Sequence, residues 1–252
     1  MEIWEAIVLG LIQGLCEFLP VSSSGHLVIA ERLLGIHGDA LVLNVLLHLA
    51  TLLAVVFALF SDVKELFRKP LGKQGRLLLI SFLPTAALAL GMKALFPELI
   101  DGKYTAFGFM LSAAVLLLTM LLARSPRAKK GAEDTSYKDA AVAGIAQGIA
   151  VIPGLSRSAS TIFALTARGA ARAEAVRFSF LMSIPVIAAS AAYGLLSGGA
   201  SSLPLLPLAF GFAAAFLSGL VSVKFMLKVF SKSSPLPFVI YLAAMSVAAL
   251  FV

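Results

Sequence analysis

The chain has 252 residues, 60% of them hydrophobic and only 13% charged, with a mean hydropathy of +0.99. A soluble domain carries about twice that share of charge, so the composition is that of an integral membrane protein. A net charge of +7 has the sign of a nucleic-acid binder, but the basic residues gather in short loops between apolar runs, and a single cysteine, Cys16, excludes an intramolecular disulfide or a cysteine metal cluster.

The chain opens on Met1-Glu2-Ile3-Trp4-Glu5, which is acidic where a secretory signal is basic, so no cleaved signal is expected. The first unusual stretch follows, from Gln13 to His26: Gln-Gly-Leu-Cys-Glu-Phe-Leu-Pro-Val-Ser-Ser-Ser-Gly-His. Apolar runs at about 41–60, 77–96 and 104–123 are long enough to span a bilayer. The second unusual stretch runs from Gln147 to Thr161 and includes Pro153-Gly154-Leu155-Ser156-Arg157-Ser158. Three more apolar runs close the chain, at about 178–198, 204–227 and 236–252. None alternates as a membrane β-strand does. The apolar arms around the two polar stretches are each shorter than the roughly 20 residues a crossing needs. Ionisable groups at such depth are costly and are functional candidates by default.

Basic residues concentrate at 61–76, 124–139, 168–177 and 224–232, which marks those loops as cytoplasmic. Arg32, Lys93 and Lys103 fall on the other side, with Glu2, Glu5, Glu31, Asp39, Glu98 and Asp101. All four basic loops share one face only if 1–39 and 139–177 each enter and leave by the same face. Both are therefore expected to be re-entrant helical hairpins, broken near Pro20 and Pro153. Irregular backbone at that depth survives where protein or a wet cavity satisfies it. The chain also repeats itself: Gly10-Leu-Ile-Gln-Gly14 matches Gly144-Ile-Ala-Gln-Gly148. The expected fold is all-α: six transmembrane helices plus two re-entrant hairpins, in an inverted-topology repeat. One half is 1–123, the other 139–252, and the polar linker near 124–138 lies between. In such folds the site lies between the repeats at the midplane.

The second stretch has the chemistry of an anion site. Gly154 allows close backbone approach. Ser156, Ser158, Ser160 and Thr161 supply hydroxyls, and Arg157 offers a guanidinium fork that matches phosphate oxygens. A helix N-terminus after it adds N–H groups. In the first stretch Ser22, Ser23, Ser24 and Gly25 precede a second helix start. His26, three residues after Ser23, shares a helical face with it and is a candidate base for a serine nucleophile. Glu17, with Gln13 one turn earlier, is a candidate ligand for Mg²⁺ or Ca²⁺. Plainer roles compete. Glu17 can simply pair with Arg157, serines in membrane helices bond back to carbonyls, and Gln13 and Gln147 can join helices. His48, inside a span, is divided between packing and lining the site; His37 lies in a loop and is read as idle. Gly211 and Gly219 are read as helix-packing residues.

Taken together, Gln-x-x-x-Glu-Phe-Leu-Pro-Val-Ser-Ser-Ser-Gly-His at 13–26 and Pro-Gly-Leu-Ser-Arg-Ser-Ala-Ser-Thr at 153–161 resemble the undecaprenyl-diphosphatase family, bacterial membrane enzymes also called bacitracin-resistance proteins. The resemblance covers essentially the whole chain. It implies removal of one phosphate from undecaprenyl diphosphate, giving the lipid monophosphate that carries cell-wall precursors. It also implies a divalent cation and a site in the inner membrane that opens toward the periplasm. Gln13 and Glu17 match the family's acidic motif, with Gln13 the less acidic option at its position. Ser23 and His26 match its serine and histidine, and Ser156, Arg157 and Thr161 its second motif. Type 2 phosphatidic-acid phosphatases do not fit, because Phe163 stands where their second histidine would be. Bilayer lipids are the expected surroundings, nucleic acid is not an expected partner, and a homodimer is compatible with the sequence. The alternative function is a polyprenyl-phosphate transporter, which would need Arg157 and the hydroxyls but no base.

Overall fold

The structure is a computed structural model that describes residues 1–36, 40–122, 131, 134–197, 204–230 and 233–252. His37, Asp39, Arg124, Arg127, Lys129, Lys130 and most of the linker between the halves lie outside the described residues. Among the described residues the regular elements are all helical. In order they are α1 (Ile3–Phe18), α2 (Ser23–Leu33), α3 (Ala40–Ala58), α4 (Phe60–Arg68), α5 (Lys73–Leu95), a 3-10 turn at Pro97–Leu99, α6 (Thr105–Leu122), α7 (Tyr137–Ile149), α8 (Arg157–Ala167), α9 (Arg172–Ser197), α10 (Leu205–Phe225) with a π-helical turn at Met226–Phe230, and α11 (Leu236–Ala248).

Among the described residues five helices are long and apolar enough to cross a membrane: Leu41–Ala58, Lys73–Leu95, Thr105–Leu122, Arg172–Gly194 and Leu205–Lys228. They coincide with five of the six expected spans. The sixth run, 236–252, folds as the 13-residue α11. At 1.5 Å per residue that is about 20 Å, less than the roughly 30 Å of hydrocarbon. Part of the basic segment 61–76 is also helical rather than loop. In α4, Phe60, Val63, Leu66 and Phe67 share one side, with Val63 buried. Arg177 of α9 holds α4 in place by donating to Asp62, and it also bonds Glu174.

The two polar stretches form helix–turn–helix hairpins, α1 with α2 and α7 with α8. Pro20 and Pro153 both fall in the turns. Each hairpin's first helix packs chiefly on a long helix distant in sequence: α1 on α10, and α7 on α5. The repeated glycines explain why these helices approach so closely. A Cβ on Gly10 would lie 2.3 Å from the Gly211 carbonyl oxygen, and one on Gly14 would lie 2.4 Å from that of Ala215. A Cβ on Gly144 would lie 2.1 Å from the Ser81 oxygen, and one on Gly148 would lie 2.7 Å from Leu88 Cβ. The shared pattern is thus a small-residue contact face.

Gly14→Val should therefore cost about 2–3 kcal/mol, the usual penalty of overpacking. That is roughly 5–10 °C in apparent Tm for a chain of this size. Gly91→Val is the control, because nothing lies within 4 Å of a Cβ there. Equal melting of the two variants would remove the α1–α10 contact from the account.

Candidate functional site

The site is built on the last turn of α1. Gln13 and Glu17 are four residues apart and both buried, at 0% and 7% exposure. Gln13 Nε2 donates to Glu17 Oε2 at 3.0 Å. Pro20 turns the chain, and Ser22 takes the left-handed φ of 69° that lets α2 start beside the end of α1. Ser22 Oγ caps α2 by accepting from the Gly25 N–H at 3.4 Å. Ser23, the first residue of α2, then points its hydroxyl at Glu17: Oγ donates to Oε2 at 2.5 Å.

The second hairpin repeats the construction in the same register. Gly154 has φ 89°, and Ser156 caps α8 by accepting from the Ala159 N–H at 3.3 Å. Arg157, the first residue of α8, reaches the same carboxylate, Nη2 donating to Glu17 Oε1 at 2.5 Å. Ser23 and Arg157 thus hold equivalent positions at two helix N-termini and meet on one Glu17. Helix N-termini carry partial positive charge suited to phosphate.

The tips are tied together. Ser158 Oγ donates to the Leu19 carbonyl at 3.1 Å. A Cβ on Gly25 would lie 2.8 Å from Gly154 Cα, so both glycines serve close packing. Ser112 of α6 braces the second tip: its Oγ donates to the Gly154 carbonyl at 2.8 Å and accepts from the Ser156 N–H at 2.7 Å. A cavity of about 230 Å³ opens over the tips. Glu17, Ser22, Ser23, Ser24, Ser156 and Arg157 line it, together with His48 and Gln147.

Three other sequence-selected residues, Thr161, Ser160 and Gln147, make their hydrogen bonds away from Glu17. Thr161 Oγ1 donates back to the Arg157 carbonyl at 2.9 Å and pairs with Ser179 Oγ at 2.6 Å, a packing role. Ser160 bonds back to the Ser156 carbonyl at 2.9 Å. Gln147 joins α7 to α5 through Thr85 Oγ1 at 3.2 Å, as a helix-joining role requires.

A sequence model of the family described as "Bacitracin resistance protein BacA" matches residues 6–248. The chain belongs to the BacA family. Curated relatives named "Undecaprenyl-diphosphatase" include one from Christiangramia forsetii, 39% identical over 99% of this chain and 98% of the relative. Another, from Halothermothrix orenii, is 39% identical over 96% and 94%. A third, from Carboxydothermus hydrogenoformans, is 37% identical over 92% and 90%.

In this BacA-family chain the expected pairing of His26 with Ser23 is replaced by a different arrangement. His26 Nδ1 is 2.8 Å from the Ser22 carbonyl oxygen. A carbonyl only accepts, so Nδ1 carries the proton and Nε2 accepts from the Tyr241 hydroxyl at 2.6 Å. The ring stacks on Tyr241 with an interplanar angle of 4°. His26 therefore braces the turn that presents Ser23, while the group at Ser23's hydroxyl is Glu17. Helical spacing puts residues on one face but does not say which neighbour each bonds. Tyr241 was not foreseen; its only sequence signal is a phenol in an apolar run that needs a polar partner.

Protein donors engage both carboxylate oxygens of Glu17 in this structure, while Gln13 Oε1 is buried without a hydrogen-bond partner. Glu17 Oε1 is taken by Arg157 and Oε2 by Ser23 and Gln13. Gln13 presents its amide N–H, not its carbonyl, to Glu17. Among the described residues no cluster of three or more His, Cys, Asp or Glu is placed to hold a metal. A hard cation wants several oxygen ligands.

Proposed function

We propose that this chain hydrolyses undecaprenyl diphosphate to undecaprenyl phosphate and inorganic phosphate, recycling a lipid carrier for cell-wall synthesis. The observation that carries the reading is Glu17, which accepts from Ser23 Oγ and from Arg157 at 2.5 Å each on the wall of the cavity over the hairpin tips. A base, a hydroxyl nucleophile and a phosphate-binding guanidinium are thereby held together. The names of the relatives supply the substrate.

In the proposed first step Ser23 Oγ attacks the terminal phosphorus and gives its proton to Glu17 Oε2. The bridging P–O bond breaks and its electron pair leaves on the polyprenyl monophosphate. Arg157 and the N-termini of α2 and α8 stabilise charge on the non-bridging oxygens. Glu17 passes Ser23's proton to the departing monophosphate; water then attacks the phosphoserine and loses a proton to the freed Glu17 as the Ser23 Oγ–phosphorus bond breaks, and Glu17 returns that proton to Ser23 Oγ. A divalent cation, in this reading, arrives on the diphosphate rather than waiting at Glu17, and none of these steps runs through it. The test is phosphate release by the purified chain. One phosphate per undecaprenyl diphosphate is expected, and folded protein that releases none would overturn the reading. No feature of the cavity and no relative's name favours the transporter alternative.

The membrane arrangement belongs to the same proposal. We read both hairpins as re-entrant from opposite faces, in a bacterial inner membrane, with the cavity open to the periplasmic face. The base of the second hairpin supports this: Arg168, just past α8, donates to Asp139 at the start of α7 at 2.7 Å, so the hairpin begins and ends at one level. The exchanged packing of α1 on α10 and α7 on α5 supports two related halves, 1–123 and 139–252. Exposed Phe57, Leu83, Leu217 and Val221 then face lipid. Cysteines at Lys138 and Arg172, in a Cys16→Ser background, should react with an impermeant thiol reagent from the same side. Labelling from opposite sides would mean that the segment crosses.

A further inference from the structure

The cavity over the hairpin tips is not closed. His48 and Ser190 on its wall also line a second cavity of about 490 Å³, between α3, the end of α5 and α9. Leu41, Val45, Ala191 and Gly194 make this outer cavity largely apolar, and among the described residues its one lysine or arginine is Lys93.

Charge shows what that cation is for. A terminal phosphate brings well over one negative charge near neutrality, and the second phosphate of a diphosphate adds more. Among the described residues Arg157 is the only lysine or arginine lining the inner cavity, and Glu17 already matches its charge at 2.5 Å. The Arg157–Glu17 pair therefore carries no net charge, which leaves the two helix N-termini and His48, 4.0 Å from Glu17, to face the several charges of a diphosphate, and burying an unmatched anion is costly. Lys93 has no carboxylate partner among the described residues. Its ammonium donates to the Tyr193 hydroxyl at 3.2 Å and lies 4.3 Å from the Tyr193 ring centroid. Both contacts are neutral and weak at an exposed site, so they are readily exchanged for phosphate oxygen. The four-carbon stem lets the ammonium swing without moving the helix.

We propose that Lys93 is a substrate-binding residue. Its ammonium takes a diphosphate oxygen where the two cavities meet, and Tyr193 holds it between turnovers. This rests on the hydrolytic reading above. The competing role is structural: Lys93 sits in the last turn of α5, where a cation offsets the negative helix end.

The test uses the full chain and a non-hydrolysable probe, a prenyl methylenediphosphonate, with binding measured by calorimetry beside the kinetics. Lys93→Met should bind the probe about tenfold more weakly and raise KM about as much, with kcat within about threefold, the loss of one charge-assisted hydrogen bond. Lys93→Arg should restore binding. Lys103→Met is the control, because Lys103 also lies over a tyrosine ring, at 5.6 Å from that of Tyr104, but lines neither cavity. Unchanged probe binding in Lys93→Met, with or without a lower Tm, would overturn the proposal. So would an equal loss in Lys103→Met, which would show a diffuse field rather than a site. A parent chain that binds the probe but releases no phosphate would sink the hydrolytic reading, leaving Lys93 to be judged on binding alone. A parent chain that does not bind the probe would overturn both.

Discussion

Arg157→Ala is expected to lower phosphate release by about 10²–10³-fold, the usual effect of removing one group that stabilises transition-state charge. It should also destabilise the protein, because the side chains of Arg157 and Glu17 are only 19% and 5% exposed. Removing one partner of such a pair leaves the other charge buried, at about 3–5 kcal/mol. Arg157→Lys keeps the charge but loses the fork, so stability should recover further than rate. Glu17→Gln separates the roles in the opposite direction. It removes the group that receives Ser23's proton and leaves Arg157 unmatched, so the rate should fall while the diphosphonate probe binds more tightly. The double variant Glu17→Gln/Arg157→Ala should melt above the sum of the single losses, because neither charge is then left alone. Melting curves for the three variants check this. Strictly additive losses would mean that the two residues do not form the pair described.

Much of this arrangement was legible in the residues. Pro20 and Pro153 mark the two turns, and the polar stretches around them stand out because apolar sequence flanks both. The matched glycines at 10, 14, 144 and 148 stand out as a repeated pattern in the sequence, and the structure adds that they let α1 touch α10 and α7 touch α5. What was not legible depends on contacts between distant parts of the chain. His26 and Ser23 share a helical face by spacing, but the His26 partner is Tyr241, which comes from the last helix. Glu17 and Gln13 have the composition of a metal ligand pair. Only the arrival of Arg157 and Ser23 shows that the carboxylate's oxygens are already engaged. The helix α4 was hidden by its basic residues, which read as a loop until Phe60, Val63 and Phe67 are seen to fall on one side.

Ser23→Ala should abolish turnover if Ser23 Oγ is the nucleophile, since among the described residues Ser23 is the hydroxyl that bonds Glu17. The competing route is direct attack by water with Ser23 only donating to phosphate. That route would leave about a tenth of the rate, the worth of roughly one neutral hydrogen bond. His26→Ala does not separate the two, because it loosens the Ser22 carbonyl and the turn in either case. The covalent route passes through two in-line displacements at phosphorus and the direct route through one. The decisive measurement is therefore the stereochemical course with a substrate made chiral at the terminal phosphorus by sulfur and oxygen isotopes. Attack by a Ser23 held on Glu17 predicts net retention of configuration in the released thiophosphate; net inversion would contradict it.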